Sequence, residues 1–210
     1  ARSAQGMGVH IIPFTKVTDL ILDKGRVKGV KTINKDVLAK VVVNATAGWA
    51  STIAAMAKIE LPIATHPLQV AVTEPVKPFI DTTVSSANLH VYAYQTDRGE
   101  IVIGGGVDPY PTYNMSSGLE TISHLVSNTL KMFPALRDVR LLRQWSGLCD
   151  ITPDYAPIMG RVSGIDGFLL TCGWGTWGFK AAPMAGSCMA ELITTGKVPE
   201  LIKPFQLSRF

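Results

Sequence analysis

Three glycines and a lysine stand together near the end of this 210-residue chain, in Cys172-Gly173-Trp174-Gly175-Thr176-Trp177-Gly178-Phe179-Lys180. A short apolar run, residues 168–172, enters the stretch, and small residues follow it. That order spells strand, tight loop, helix. Glycine permits positive φ and lets a ligand approach bare backbone. Loop amides followed by a helix N-terminus favour a negative or electron-rich group. Lys180 is the one charged residue from 173 to 189. A lone ammonium in such apolar sequence suggests a paired anion, for instance a substrate carboxylate. The competing reading is a solvated lysine, as most lysines are.

Gly173, Gly175 and Gly178 satisfy G-x-G-x-x-G literally, but as a dinucleotide fingerprint the pattern fails. Only 32 residues follow Gly178, and Gly196-Lys197-Val198-Pro199 stands where a second strand–helix unit with a ribose-binding acid would have to begin. The glycines then serve either a ligand or a plain strand-to-helix turn. A second run, Gly104-Gly105-Gly106, also follows a strand, but Pro109 breaks the pattern and it reads as a strand end. His90, Tyr92 and Tyr94 alternate along one strand face and, with Trp145, could line a cleft. Equally, they are the polar side of a hairpin and a packing tryptophan. The four histidines lack metal spacing, and no G-x-S-x-G anchors a serine nucleophile.

The elements that must position these residues can be read in order. A helix turn ends on Gly6 and Gly8, and a strand over 9–14 is expected at once after it. Strands over 16–22, 27–33 and 37–45 form a meander, with turns at Asp23-Lys24-Gly25 and Asn34-Lys35-Asp36. The third strand feeds the loop Asn44-Ala45-Thr46-Ala47-Gly48-Trp49 and a helix over 52–58. In a nucleotide-binding α/β domain such a loop lies at the carboxyl edge of the sheet. From residue 61 the texture turns to strands: 68–73, then a hairpin of 89–95 with 100–104. Ser117 and Glu120 fit a capping box. Leu119, Ile122, Val126, Leu130 and Phe133 recur at helical spacing until Pro134 stops the helix. A strand over 139–148 and a turn-rich corner over 150–157 follow. Strand 168–172 and a helix over 181–194, with Pro183 in its first turn, return to the first domain. The expected fold class is α/β (α+β), in three stretches: residues 1–60, an inserted antiparallel domain 61–150, and the return 151–210. A cleft between two such domains is a preferred ligand site.

Bulk composition narrows the classes. Hydrophobic residues make up 47% and charged residues 17%, enough for a core and against disorder. A net charge of +4 without a Lys/Arg-dense window does not indicate nucleic acid. Three cysteines, odd in number and without C-x-x-C spacing, point away from a disulfide framework or zinc and toward reduced thiols in the cytoplasm. No apolar run has the length of a membrane span. The start, Ala1-Arg2-Ser3, resembles the interior of a longer chain, so a C-terminal fragment is expected.

Specific segments resemble the D-amino-acid-oxidase-like FAD-dependent oxidoreductases. Val43-Asn44-Ala45-Thr46-Ala47-Gly48-Trp49-Ala50 is similar to that family's V-V-N-A-A-G-A-W-S segment, and residues 172–180 to its C-terminal flavin loop. Within the family, the order of residues 60–69 (ELPIATHPLQ), 90–92 (HVY), 142–147 (LRQWSG) and 172–180 resembles the beta subunits of heterotetrameric sarcosine oxidase. The resemblance covers nearly the whole chain. It implies part of a Rossmann-like FAD-binding domain with an inserted antiparallel-sheet substrate domain. The implied reaction is oxidation of a small secondary or tertiary amino acid, a sarcosine-like N-demethylation, by hydride transfer to FAD. The alternatives are a glycine, proline or D-amino-acid oxidase, a dye-linked dehydrogenase, and a non-catalytic flavin-holding or scaffold subunit. On the resemblance, Val17, Gly48, Gly173, Gly175, Thr176, Gly178 and Lys180 bind cofactor. Lys180 is also the catalytic candidate, and Tyr92, Tyr94 and Trp145 line the substrate. FMN at an interface with an alpha-type subunit is implied too, with Lys180 as its possible contact. The sequence departs from the pattern in three places. Trp177 replaces a loop glycine, Val102 stands where relatives carry an oxygen-activating lysine, and the relatives' flavin-linked cysteine falls near Gly147, two places from Cys149, which is not assigned that bond.

Overall fold

Lys24 and Gly25 take positive φ, 46° and 76°, the left-handed pair that a two-residue hairpin needs to match strand twist. They join β1 (Val17–Asp23) to β2 (Arg26–Thr32), and β3 (Asp36–Leu38) completes an antiparallel sheet in the order β1-β2-β3. The computed structural model describes residues 1–210 and begins with a one-turn helix, α1 (Arg2–Gly6). Residues 9–14 are not the expected strand. They join no ladder, and Val9, Ile11, Ile12 and Phe14 are exposed. Apolar and β-branched composition supplies strand propensity, but a strand also needs a neighbour to pair with.

The run 37–45 is not one strand but two, in different sheets. Ala39 N–H donates to Lys28 O (2.9 Å), closing the meander, and Val42 N–H donates to Gly167 O (2.9 Å), opening the next sheet. There β4 (Val42–Asn44) lies parallel to β11 (Phe168–Cys172), and β10 (Ile158–Arg161) lies antiparallel on β11's other edge. Phe168, Leu169 and Leu170 are consecutively buried, as a strand covered on both faces must be. A 3-10 turn (Ala47–Trp49) leads into α2 (Ala50–Met56). The last helix, α4 (Gly178–Thr195), starts three residues earlier than expected and ends on left-handed Gly196. Pro183 therefore sits in its second turn, not its first, where it has no N–H for the carbonyl of Phe179.

The chain divides into two compact units. Unit 1 comprises Ala1–Pro62, Ala156–Cys172 and Trp177–Phe210, and unit 2 comprises Ile63–Tyr155 and Gly173–Thr176. Unit 2 is a five-stranded antiparallel sheet built from β5 (Ala64–Pro75), β6 (Val84–Ser86), β7 (Val91–Gln95), β8 (Glu100–Val107) and β9 (Leu141–Ile151), in the order β6-β7-β8-β5-β9. On one face lies α3 (Leu119–Met132), whose Ile122 and Leu125 pack with Ala71, Val91, Ala93, Ile101 and Ile103. Val126, Leu130 and Phe133 flank that core, while Leu119 is exposed. The expected capping box does not form. Gly118 is the N-cap and no side chain caps the helix. Instead Gly118 N–H donates to Gln69 Oε1 (2.9 Å) and Gly118 O accepts from Gln144 Nε2 (3.1 Å). The sheet, rather than local sequence, sets where this helix begins.

Candidate active site

Two loops leave one edge of the small sheet in unit 1, because β4 and β11 run parallel and end side by side. Asn44 shapes the first loop. Buried at the end of β4, it donates from Nδ2 to Ala50 O (2.9 Å), and its Oδ1 accepts from Thr46 Oγ1 (2.7 Å). That clamp folds residues 45–49 into a tight turn with Gly48 buried inside it and Ala47 at φ 47°. Val17 lies at the start of β1, in the separate meander sheet.

The second loop is built on glycine and on an acid that sequence reasoning missed. Gly173 and Gly175 adopt φ 70° and 53°, which only glycine takes without strain. Their amides turn inward. The carboxylate of Asp150, near the end of β9 and 2% exposed, accepts from Gly173 N–H at Oδ2 (2.5 Å) and from Gly175 N–H at Oδ1 (3.2 Å). Gly175 N–H also reaches Asp150 O at 3.0 Å, and Trp174 N–H bonds the same residue. Burial pushes the Asp150 carboxyl above its ordinary range, and the three loop amides pull against that shift without cancelling it. The expectation of bare loop amides converging on a ligand is thus corrected at Gly173 and Gly175. A buried carboxylate must be hydrogen-bonded, and these amides satisfy it.

What remains open lies just beyond. No side chain caps α4, whose first intrahelical bond is Ala181 N–H to Trp177 O (3.2 Å). The amides of Gly178, Phe179 and Lys180 therefore have no helical acceptor. Gly178 begins the helix and does not need positive φ. At Gly175 an added Cβ would meet nothing nearer than Asp150 O at 3.9 Å, so the outer surface of the loop is bare. Thr176 is exposed beside it. The Lys180 ammonium lies 4.6 Å from the centroid of the Trp177 ring. Within this chain its partner is an aromatic face rather than a carboxylate, and the unexpected Trp177 is its rest.

Unit 2 carries the aromatic candidates on the sheet face away from α3. Neighbours in a strand point to opposite faces, so Val70, Tyr92 and Gly104 face away from the side where Ala71, Ala93 and Ile103 meet the helix. The register aligns Tyr92, Gly104, Val70 and Trp145 in one row across four strands, and Tyr94, Val102, Val72 and Arg143 in the next. Tyr92 and Trp145 thus share a face and a row, with two strands between them. The Tyr92 ring lies on Gly104, where an added Cβ would come within 2.4 Å of its hydroxyl. Burial, and then the nearby Tyr94, push the Tyr92 phenol above its ordinary value, so it is a hydrogen-bond donor at neutral pH. Arg143 is an exposed cation of this face not singled out from sequence; its signal was its position two residues before Trp145. Two expectations change here. His90 precedes the strand at φ 49° instead of alternating with the tyrosines, because the chain turns into β7 there. The triple glycine is not a strand end, since β8 runs on to Val107. Gly105 is instead where a Cβ would strike His90 O and Leu125 Cδ2, at 2.4 and 2.5 Å.

Parallel strands feeding glycine loops in one unit, and an antiparallel sheet with a helix on one face in the other, make a mixed α/β architecture. The FAD dependent oxidoreductase family matches residues 1–192, and the chain belongs to that family. It is 39% identical over 210 residues to sarcosine oxidase subunit beta of Rhodobacter capsulatus, covering 100% of this chain and 50% of that one. Against the same subunit of Rhizobium meliloti the identity is 40%, with coverage of 100% and 50%. The chain spans about half the length of the curated relatives it matches. Among solved structures, L-proline dehydrogenase from P. horikoshii aligns with a TM-score of 0.93 at 33% identity, over 100% of this chain and 57% of that one. Glycine oxidase from Geobacillus kaustophilus aligns at 0.89 and 22%, over 99% and 55%; that likeness concerns the fold alone. FAD is the family's cofactor, and the residues present fit it. The surface at Gly175 would be filled by a side chain, and the first turn of α4 offers uncapped donors to an electron-rich group.

Proposed function

We propose that the protein oxidises a small secondary amino acid, sarcosine or a close analogue, with FAD as the electron acceptor. The observation that carries this reading is the open backbone from Gly175 to Lys180, which has no side chain at 175, no cap on α4 and one cation. When bound, the flavin supplies the two-electron acceptor for the substrate's hydride. The chain's own residues do the rest. The amides of Gly178, Phe179 and Lys180, with the helix dipole behind them, hold developing negative charge. Lys180 leaves the Trp177 ring to pair with the substrate carboxylate, which orients the reacting C–H bond. Tyr92 donates a hydrogen bond, and Tyr94 and Trp145 exclude water from the amine. Unit 1 serves as the FAD-binding domain, with Val17 and Gly48 among its contacts, and unit 2 as the substrate domain.

Two finer assignments belong with this reading. The relatives' designation as a subunit and the fully exposed Phe179 and half-exposed Met184 on α4 support an alpha-type partner, with FMN held at that interface; Lys180 would then contact FMN in place of the substrate carboxylate. Three buried cysteines that form no disulfide support a reducing, cytoplasmic setting. No helix is long and apolar enough to cross a membrane.

One observation favours a second substrate. The likeness to L-proline dehydrogenase points to a cyclic secondary amine, which the same face would accept. Anaerobic titration of the full-length protein separates the two. Bleaching of the flavin absorption by sarcosine but not by L-proline is expected, and the reverse assigns proline. A bound flavin that no amine bleaches leaves a scaffold subunit and ends the enzymatic reading.

A further inference from the structure

Asp150 is a buried acid without an obvious task in amine oxidation. Its surroundings describe what it does. Left-handed Gly173 and Gly175 bracket Trp174, so consecutive amides turn to one side and form a concavity of the kind that binds anions. Here the anion is internal. The carboxylate takes Gly173 and Gly175 on separate oxygens, and the Asp150 carbonyl takes Gly175 again. Strand β9 therefore holds the loop at side chain and main chain alike. The same strand carries Trp145 and Gly147 on its open face, in register with Val70 and Leu68. The loop that faces the cofactor and the strand that faces the substrate are tied at one residue, and all of these groups belong to unit 2.

We infer that Asp150 is a positioning residue for the cofactor: by filling the concavity at 173–175 it fixes the one loop conformation whose bare outer surface accepts the flavin. This rests on the flavin reading above. The requirement is for two acceptors in one plane. Asparagine supplies one acceptor and one donor, so it must release either Gly173 or Gly175. Glutamate keeps both acceptors but moves them outward by a methylene.

The test uses the full-length protein, with FAD affinity, visible circular dichroism of the bound flavin and hydrogen exchange of the 172–176 segment measured together. Asp150→Asn is expected to weaken FAD binding at least tenfold in the folded fraction, to alter the flavin dichroism, and to speed exchange at 173–175 at least tenfold. Asp150→Glu is expected to recover part of that loss. If Asp150→Asn melts at a lower temperature but keeps wild-type FAD affinity and dichroism, Asp150 is merely structural and the inference is overturned. If Asp150→Asn does not fold, wild-type FAD affinity in Asp150→Glu overturns it equally. Unprotected amides at 173–175 in the wild type would also overturn it. If the wild type binds no FAD, the flavin reading itself fails, and the exchange data still report whether Asp150 holds the loop.

Discussion

The ammonium of Lys180 rests on a single exposed ring, an arrangement worth about 0.5–1 kcal/mol. A charge-assisted bond to a carboxylate is worth about 1.5–3 kcal/mol, so on the proposed reading a substrate acid would outcompete the ring. Lys180→Met is accordingly expected to lower kcat/KM by roughly ten- to a hundredfold while leaving the urea midpoint unchanged. Steady-state kinetics beside a urea melt decide it, and unaltered turnover would remove Lys180 from the site. Cys149 behaves oppositely. Burial, and then the adjacent Asp150, push its thiol up to about 11. It should resist iodoacetamide at pH 8 in the native protein and react once unfolded, as peptide mass mapping would show. Residue types made the left-handed backbone at Gly173 and Gly175 legible in the sequence, because few other residues tolerate it, and Lys180 stood out as a lone charge in apolar sequence. Asp150 was not legible. It lies 23 positions from Gly173, and its partners are backbone amides, which every residue but proline has.

Helix α3 and its sheet show how far elements could be read. The 3.6-residue spacing of Ile122, Val126 and Leu130 was sufficient to place the helix, and alternation placed β7 and β8. Its first residue was not readable, because Gly118 is held by Gln69 from another strand. Ser117→Ala should therefore change stability by less than about 0.5 kcal/mol, whereas Gln69→Ala should cost about 1–3 kcal/mol by stranding a donor; chemical denaturation of both variants checks the pair. On the sheet itself, Ile103→Ala at the α3 face should cost about 2–5 kcal/mol, and Tyr94→Ala on the open face much less. Equal losses in urea would mean that both faces are packed. The run 37–45 misled because the apolar end of β3, Val37-Leu38, and the valines 41–43 at β4 lie close enough in sequence to look like one strand. Strand β10 lies between the expected corner over 150–157 and the strand over 168–172 and was not read, since four residues containing Gly160 at φ 130° give little pattern.

In the whole molecule, a change of texture was readable near residue 61, where the expected inserted domain begins, and the two compact units divide in sequence after Pro62. The exchange of four loop residues between units was not readable, since it depends on one side chain's hydrogen bonds. That side chain also gives stability a pH signature. With its native carboxyl raised by burial, Asp150 binds a proton more readily folded than unfolded. Its contribution is therefore full below the ordinary carboxylate value of about 3.9 and declines as pH rises through the native value. Urea midpoints measured upward from about pH 4 should fall in the wild type relative to Asp150→Asn, and parallel curves would refute the linkage. The split membership of unit 2 bears finally on how the protein is made. Ribosomes deliver Asp150 well before residues 173–176, so its carboxylate waits without its amide donors while β5 to β9 and α3 already have theirs. The sheet can assemble during synthesis, but its last residues dock only after β10 and β11 have emerged. A stalled or truncated chain ending short of Gly173 would thus present a nearly finished domain with an unpaired buried acid, a ready mark for chaperones and proteases.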